Sequence, residues 1–357
     1  MTNLKQRADF TGKTIYVGMD VHLKSWDITI CFDQQFIRSF HQLPSASKLI
    51  ATLQRDYPNA TFHCAYEAGF SGFGLHRQLT EAGLSCMVVN AADVPQTDKD
   101  RRTKTDRSDS KRIASALQAG LLHSIYIPDK LAESNRRLVR YRGQLLRDLQ
   151  RSKVRVKHFL HQQDIVLPPP YNRNNWSNNF MAWLKAVPHE CEMDKHTLGK
   201  MIEQVETQRK EITLLTKNIQ ELIHTTAYQE TAKLLQSIPG IGPLTTATLL
   251  VEIVDIKRFP TFVQFNSFIG FCPGEHSSGE DERKGKIISR HHKTLRSLLI
   301  EAAWIAVKND PALTLAYSQL KKTMTGKRAI TRIARKLLNR IYHVWLKKED
   351  YEKGIVK

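Results

Sequence analysis

The sequence predicts a mixed α/β unit at its N-terminal end, a long helical middle and a mainly helical C-terminal part. Three observations carry this expectation. Short β-rich runs come first after Thr14 and then alternate with helical segments. Two long segments between about residues 131 and 225 keep helical periodicity. Beyond residue 228 the helical sequence is interrupted by glycine-rich turns.

In the first part, TIYVGMDV, SWDITICF and QQFIRSF are three strands separated by turn-like breaks and read as an antiparallel meander. SASKLIATLQRDY has a serine cap and helical spacing. TFHCAYEA is a fourth strand, GLHRQLTEAG a helix ended by Gly83, CMVVN a fifth strand, and Asp106 to about Leu122 a further helix. Three strands followed by alternating helix and strand is the order of an RNase H-like fold.

The middle opens with a basic helix from about Leu131 to Gln163, stopped by LPPPYNRNNWSNN, where prolines forbid a continuous helix. A second long helix from Asp194 to about Thr225 carries a heptad. Leu198, Val205, Ile212 and Ile219 fall at one seam position, Met201, Leu215 and Leu222 at the other, and Gln208 interrupts them. The pattern fits a helical hairpin or an intermolecular coiled coil, and equally a helix packed on its own domain. The C-terminal part starts at LLQSIPGIGPLTTATLLVEIV and stays mainly helical to a basic end. The expected division is 1–125, 126–227, 228–345 and a basic tail, 346–357.

Charge narrows the function. Lys and Arg total 54 against 35 Asp and Glu, a net +19 that a compact fold carries most readily beside a polyanion such as nucleic acid. The 41% apolar and 25% charged residues are those of a globular chain. Five scattered cysteines without a C-x-x-C pair argue against a disulfide framework and a zinc ribbon. The start MTNLKQRADF lacks a signal-peptide core, and no apolar run is long enough to span a bilayer, so a cytoplasmic protein with no membrane partner is expected.

Four carboxylates stand out. Asp20 ends the first strand and Glu67 the fourth; Asp106 and Asp109 lie at i and i+3, on one face of a helix. Converging on one point, they would repel unless divalent cations were bound, and two such cations stabilise the attacking and leaving oxygens of phosphoryl transfer. Taken singly, each is as readily a turn residue or a cap. Lys99, Arg101, Arg102, Lys104, Arg107, Lys111 and Arg112 flank the last two, Lys104 and Arg107 being candidate nucleic-acid contacts. A second element is Ser237-Ile-Pro-Gly-Ile-Gly-Pro. Gly240 and Gly242 suit a helix-hairpin-helix turn whose bare amides hold a phosphate, or a plain structural turn.

In the third, FNSFIGFCPGEHSSGEDERKGK, an apolar helix breaking at Pro273 delivers Ser277, Ser278 and Gly279 into a loop; Lys284, Lys286 and Arg290 follow. An unassisted serine hydroxyl is a poor nucleophile, and from the residues alone such a serine is an ordinary loop residue. T-G-K-T at 11 to 14 is not a Walker loop, because Arg7 stands where glycine is required. His291 and His292 read as phosphate contacts or solvated residues.

GMDVH, YEAG, KTDRSDSKRIA, SIPGIG, and F-x-G-x-x-P followed by Ser278-Gly279 occur in the order found in insertion-sequence transposases of the IS-one-ten family, which the chain resembles over nearly its whole length. The resemblance implies a RuvC-like domain whose D-E-D-D tetrad (Asp20, Glu67, Asp106, Asp109) binds Mg²⁺, with two ions expected. It implies a C-terminal transposase domain whose serine, Ser278 rather than Ser277, attacks DNA and becomes transiently phosphate-linked. It further implies donor and target DNA, a structured noncoding guide RNA from the element, nucleoid association, and a homo-oligomer (dimer or tetramer) whose subunits share active sites. One departure is SRHHKTLR, where His291 and His292 replace the family's glycine. The alternatives are a RuvC-like structure-selective endonuclease using water, and a helix-hairpin-helix DNA-binding protein whose acidic residues are caps.

Overall fold

The structure, a computed structural model, describes residues 9–96, 105–171, 176–278 and 281–354, and of residues 170, 275–278 and 281–286 the backbone course alone. Lys104 and Gly279 lie outside the described residues. The chain divides into two compact units, Met1–Ile127 and Pro128–Lys357, the helical middle and the C-terminal part together forming the second.

Unit one is a five-stranded mixed sheet in the order β3-β2-β1-β4-β5. β1 (Thr14–Val21) pairs antiparallel with β2 (Trp26–Phe32), β2 with β3 (Gln35–Gln42), and β1 runs parallel to β4 (Thr61–Glu67), which runs parallel to β5 (Ser85–Val89). The arrangement is consistent with an RNase H-like domain. Strand alternation sorts the side chains between two layers. Ile15, Val17 and Met19, with Phe62, Cys64 and Tyr66, pack under α1 (Ala46–Asp56) and α2 (Gly74–Glu81). Ser45 caps α1 through its hydroxyl, which accepts from the Lys48 amide at 3.2 Å. Ala65 and Tyr16 fall on the opposite face, against Ile113, Ala116 and Leu117 of α3 (Asp106–Gln118). The same alternation therefore puts Gly18, Asp20 and Glu67 on the α3 side of the sheet.

Unit two holds two apolar cores. The first joins α4 (Lys130–Gln162), α5 (Asn178–Ala186) and α6 (Glu192–Leu222). Hydrogen bonds from Arg142 to Thr216 at 2.7 Å and between His189 and Gln163 at 2.9 Å fix α4 and α6 as antiparallel partners. The second core gathers α7 (Gln229–Gln236), α8 (Pro243–Ile253), α9 (Phe262–Ile269), α10 (Lys293–Asn309), α11 (Pro311–Lys321) and α12 (Gly326–Lys347). A two-stranded hairpin, β6 (Pro273–Ser278) with β7 (Asp281–Ile287), stands between α9 and α10 in the chain. Among the described residues no helix is long and apolar enough to cross a membrane.

The heptad of α6 is used inside the chain. Leu198, Val205 and Ile212 are 2%, 0% and 8% exposed and pack with Leu145, Leu149, Val156 and Leu160 of α4, while Ile219 joins the second core. The helical hairpin accounts for the repeat, because α4 offers the apolar stripe that α6 needs. Leu198, Val205 and Ile212 are thereby covered within the chain. Ile219→Ala is expected to lower the unfolding free energy by about 2–5 kcal/mol, the usual cost of emptying a buried isoleucine site. Urea denaturation at protein concentrations differing tenfold should give the same loss; a concentration-dependent midpoint would place the seam between subunits.

Candidate active site

The acidic site is assembled by one close approach. A Cβ added to Gly18 would lie 2.3 Å from both the Ala114 amide nitrogen and the Ser110 carbonyl oxygen. Glycine thus lets the α3 backbone rest directly on β1. A buried hydroxyl pair, Ser110 Oγ to Thr29 Oγ1 at 2.9 Å, ties the same helix to β2. The first turn of α3 is set by a capping box in which Thr105 and Ser108 bond each other's backbone. Asp106 and Asp109 occupy that turn, where the helix dipole favours negative charge.

All four sequence-predicted carboxylates meet at this end of the sheet. Asp20 and Glu67 follow the paired residues Met19 and Tyr66 of neighbouring parallel strands. His22 Nε2 lies 3.2 Å from Asp20 Oδ2 and 3.7 Å from Asp106 Oδ1, and these three side chains offer ligand atoms within 4.8 Å of one another. Arg112 joins the other two acids, 3.2 Å from Glu67 Oε1 and 3.1 Å from Asp109 Oδ1. Burial raises the Asp20 carboxyl above its ordinary pKa; His22 opposes the rise, and Asp106 and Asp109 add to it. Asp27 stands directly across from Asp20 in the β1–β2 register and is held by His41 at 3.2 Å.

Crowded carboxylate oxygens on a half-buried floor are a donor set that suits a hard divalent cation, which would relieve their repulsion. His22 and Arg112 are the members that residue-type reasoning undervalued. The i+3 spacing of Arg112 from Asp109, and the position of His22 two residues beyond Asp20, were the available signals.

The other predicted residues sit as follows. Arg107 is exposed in the first turn of α3. Gly240 has φ +89°, and a Cβ there would lie 2.3 Å from the Ala302 carbonyl oxygen, so this glycine is required both by dihedral and by packing on α10. Gly242 has φ −86°, open space around it and the N-cap position of α8, followed by Pro243. Its missing side chain leaves the helix N-terminus bare without being needed for the turn.

The serine segment differs from the expected loop. The apolar helix ends at Gly270, φ +91°, rather than at Pro273, and Ser277 and Ser278 form the end of strand β6, opposite Glu282 and Asp281. Lys284 stands opposite Glu275, Lys286 lies on the same strand, and Arg290 is exposed beyond it. Arg296 fastens the base of this hairpin by donating to the Gly270 and Ile288 carbonyls at 3.1 and 3.0 Å.

His292 is neither solvated nor an obvious phosphate contact. Its Nδ1 accepts from the Leu295 amide at 3.2 Å, capping α10, and its Nε2 lies 3.3 Å from the buried Glu252. Arg140 grips both oxygens of Glu252 at 2.7 Å, and Arg136 approaches at 3.5 Å. His291 packs against Gly270, whose added Cβ would fall 2.2 Å from the His291 Cβ.

Comparison with known proteins places this geometry. A family model described as "Transposase IS116/IS110/IS902 family" matches residues 232–318, and a second, the DEDD transposase of IS110 elements, matches residues 17–163. The chain belongs to the IS116/IS110/IS902 family of transposases. It is similar to a putative transposase, y4qE, of Sinorhizobium fredii, 28% identical over 67% of this chain and 57% of that protein. It is also similar to the transposase for insertion sequence element IS1533 of Leptospira borgpetersenii, 27% identical over 82% of this chain and 85% of the relative. A pilin gene-inverting protein of Moraxella bovis is 34% identical over 40% of this chain and 46% of its own length. The transposase is accordingly a DNA strand-transfer enzyme, and its DEDD domain implies dependence on a divalent metal.

Gly18→Ala forces α3 off the sheet and should lower stability by about 1–3 kcal/mol, as overpacking does. It should also cut metal-dependent strand cleavage at least tenfold, read by thermal melting and gel assay. Acid should act at a different place. Burial alone would raise Glu252, but the hydrogen bonds and charges of His292 and Arg140 bring it down to about 2 from the ordinary 4.5. Its stabilisation is therefore present above pH 4.5 and is lost as pH falls toward 2, on the order of 3 kcal/mol at roughly 1.4 kcal/mol per unit. Glu252→Gln should flatten the acid limb of a stability–pH curve; an unchanged limb would assign it to other groups.

Proposed function

We propose that this transposase cuts and rejoins DNA using Asp20, Glu67, Asp106 and Asp109 as a Mg²⁺-binding tetrad and Ser278 as a nucleophile, guided by an RNA from its own element. The observation that carries the reading is the meeting of four carboxylates at one sheet end, where burial already raises Asp20. Bound there, two divalent cations would supply charge stabilisation for the attacking and leaving oxygens of phosphoryl transfer. Asp20 and Asp106, beside His22, are the residues placed to hold such an ion, and Glu67 and Asp109 complete the oxygen set. Arg112, bound between those two, sets their orientation and offsets their charge.

In the serine step the Ser278 Oγ bonds to phosphorus, the bond from phosphorus to the leaving strand's oxygen breaks, and that oxygen takes up a proton. In the second step the hydroxyl of the incoming strand attacks the same phosphorus and expels serine, which regains its proton. Support for the serine is its place before Gly279 and the family resemblance; its hairpin is held at the base by Arg296. Gly240, Gly242, Lys104, Arg107, Lys284, Lys286 and Arg290 are proposed as sequence-blind contacts to phosphate. The guide RNA supplies the base information that such contacts lack. The enzyme is proposed to act as a dimer or tetramer.

Incubation of the protein with cognate DNA, RNA and Mg²⁺ should yield a covalent protein–DNA adduct on denaturing gels. The adduct should vanish in Ser278→Ala and in Asp20→Asn, with DNA binding kept within a few fold because binding rests on Lys and Arg. An adduct lost only in Ser277→Ala moves the role one residue. Metal-dependent cleavage with no adduct makes the enzyme a water-using nuclease.

A further inference from the structure

The α4–α6 hairpin carries a concentration of positive charge that neither the acidic site nor the serine hairpin employs. α4 has ten Lys and Arg against two acidic residues. Lys153 is half-buried, with its ammonium 5.4 Å from the Trp176 ring centre. Burial, and then the positive charges of Arg209 on α6 and Lys157 one turn along α4, all push its pKa down. Arg142, three helical turns before Lys153, is lowered by burial and donates to Thr216 at 2.7 Å. Thr216 in turn lies two turns from Arg209, on the same side of α6.

The charge continues round α6. A shallow depression on its outer side is lined by Arg209, Lys210, Thr213, Leu214 and Lys217. Two nearby acids are engaged with cations, Glu206 with Lys185 at 2.7 Å and Glu221 with Lys217 at 3.9 Å. Like charges brought together and partly desolvated cost free energy in the isolated protein. An anion seated on them removes that cost.

We propose that the face of the α4–α6 hairpin carrying Arg142, Lys153, Lys157, Arg209, Lys210 and Lys217 is a binding surface for the phosphate backbone of duplex DNA. The occupant is argued from charge and shape. Arg142 to Lys157 spans about 22 Å of rigid helix, the axial rise of roughly six phosphates of one strand. The surface is a ridge of long cationic side chains, which contact backbone without reading bases. An enzyme that joins DNA strands must also hold duplex flanking the reacting phosphates. Of the functional readings the inference takes only membership of the transposase family, and it stands whether or not the serine and Mg²⁺ assignments hold.

The test uses the full-length protein and a DNA duplex of arbitrary sequence, about 30 base pairs, followed by fluorescence anisotropy across a salt series. The triple variant Lys153→Gln, Lys157→Gln, Arg209→Gln should bind about tenfold more weakly at fixed salt. The slope of log affinity against log salt should fall by about 2–3, near 0.9 for each phosphate no longer neutralised. Its melting temperature without DNA should be equal or higher, since crowded charge has been removed; a purely structural role predicts a lower one. Should the triple variant fail to fold, Lys210→Gln with Lys217→Gln, on the outer side of α6, should lower the slope by about 1–2. Lys195→Gln, near the start of the same helix, serves as a single-charge control and should leave the slope nearly unchanged, against a fall of about 0.9 for each lysine of the surface. An unchanged DNA slope in the variants overturns the proposal. A loss seen with an RNA duplex of the same length but not with DNA overturns it equally and assigns the surface to RNA.

Discussion

The contact of α3 with β1 at Gly18 is the constraint on which the acidic site depends. A glycine in the middle of a strand weakens it, since it has no side chain to pack and loses more backbone freedom than other residues. Here that cost is offset by letting a helix backbone rest on the sheet. The helix then delivers Asp106 and Asp109 to the end of β1, where strand alternation has already placed Asp20 on the same side and, on the parallel neighbour, Glu67. A side chain at Gly18 would part the two elements that carry three of the four acids. The Ser110–Thr29 hydroxyl pair fixes the position of the helix once the approach is made, and being buried it is costly to break.

The two units handle charge in opposite ways. In unit one, acids are gathered against their repulsion, and the protein supplies His22 and Arg112 as partial counter-charges. The negative charge these two leave uncompensated would draw the proposed divalent cation to that set. In unit two, Glu252 is buried among Arg140, Arg136 and His292, and this ion cluster joins the long basic helix to the helix that follows the Pro-Gly turn. Further along α4 the positive side chains face one another instead. The same helix thus carries charge used in folding at one end and charge held for a polyanion at the other.

A similar division appears at the C-terminal end. Asp310, fully buried, caps α11 and accepts from Arg340 at 2.9 Å and from the Tyr351 hydroxyl. The Tyr351 amide donates to the Ser237 hydroxyl at 2.9 Å, so the chain end is fastened to the turn that holds Gly240. Positional precision at the turn comes from this fastening and from the contact of Gly240 with α10, not from the turn residues alone.

Periodicity and capping were enough to read the strands of unit one, the order of its helices, and α4 and α6 to within a few residues, because those signals are local. The four acids were legible for the same reason: strand ends and i, i+3 spacing are properties of single elements. What tertiary structure alone decided was which surfaces meet. The heptad of α6 could have met a second chain, but it meets α4, whose apolar stripe lies within reach along the same chain. His292 looked like a solvated residue until α8 brought a buried carboxylate to its ring. The serines looked like loop residues until β7 returned to pair with β6, a pairing that depends on hydrogen bonds between residues and not on the composition of either strand. Local sequence sets the periodicity and the ends of each element; the choice of partner is set by packing and charge between elements, and only the folded chain resolves it.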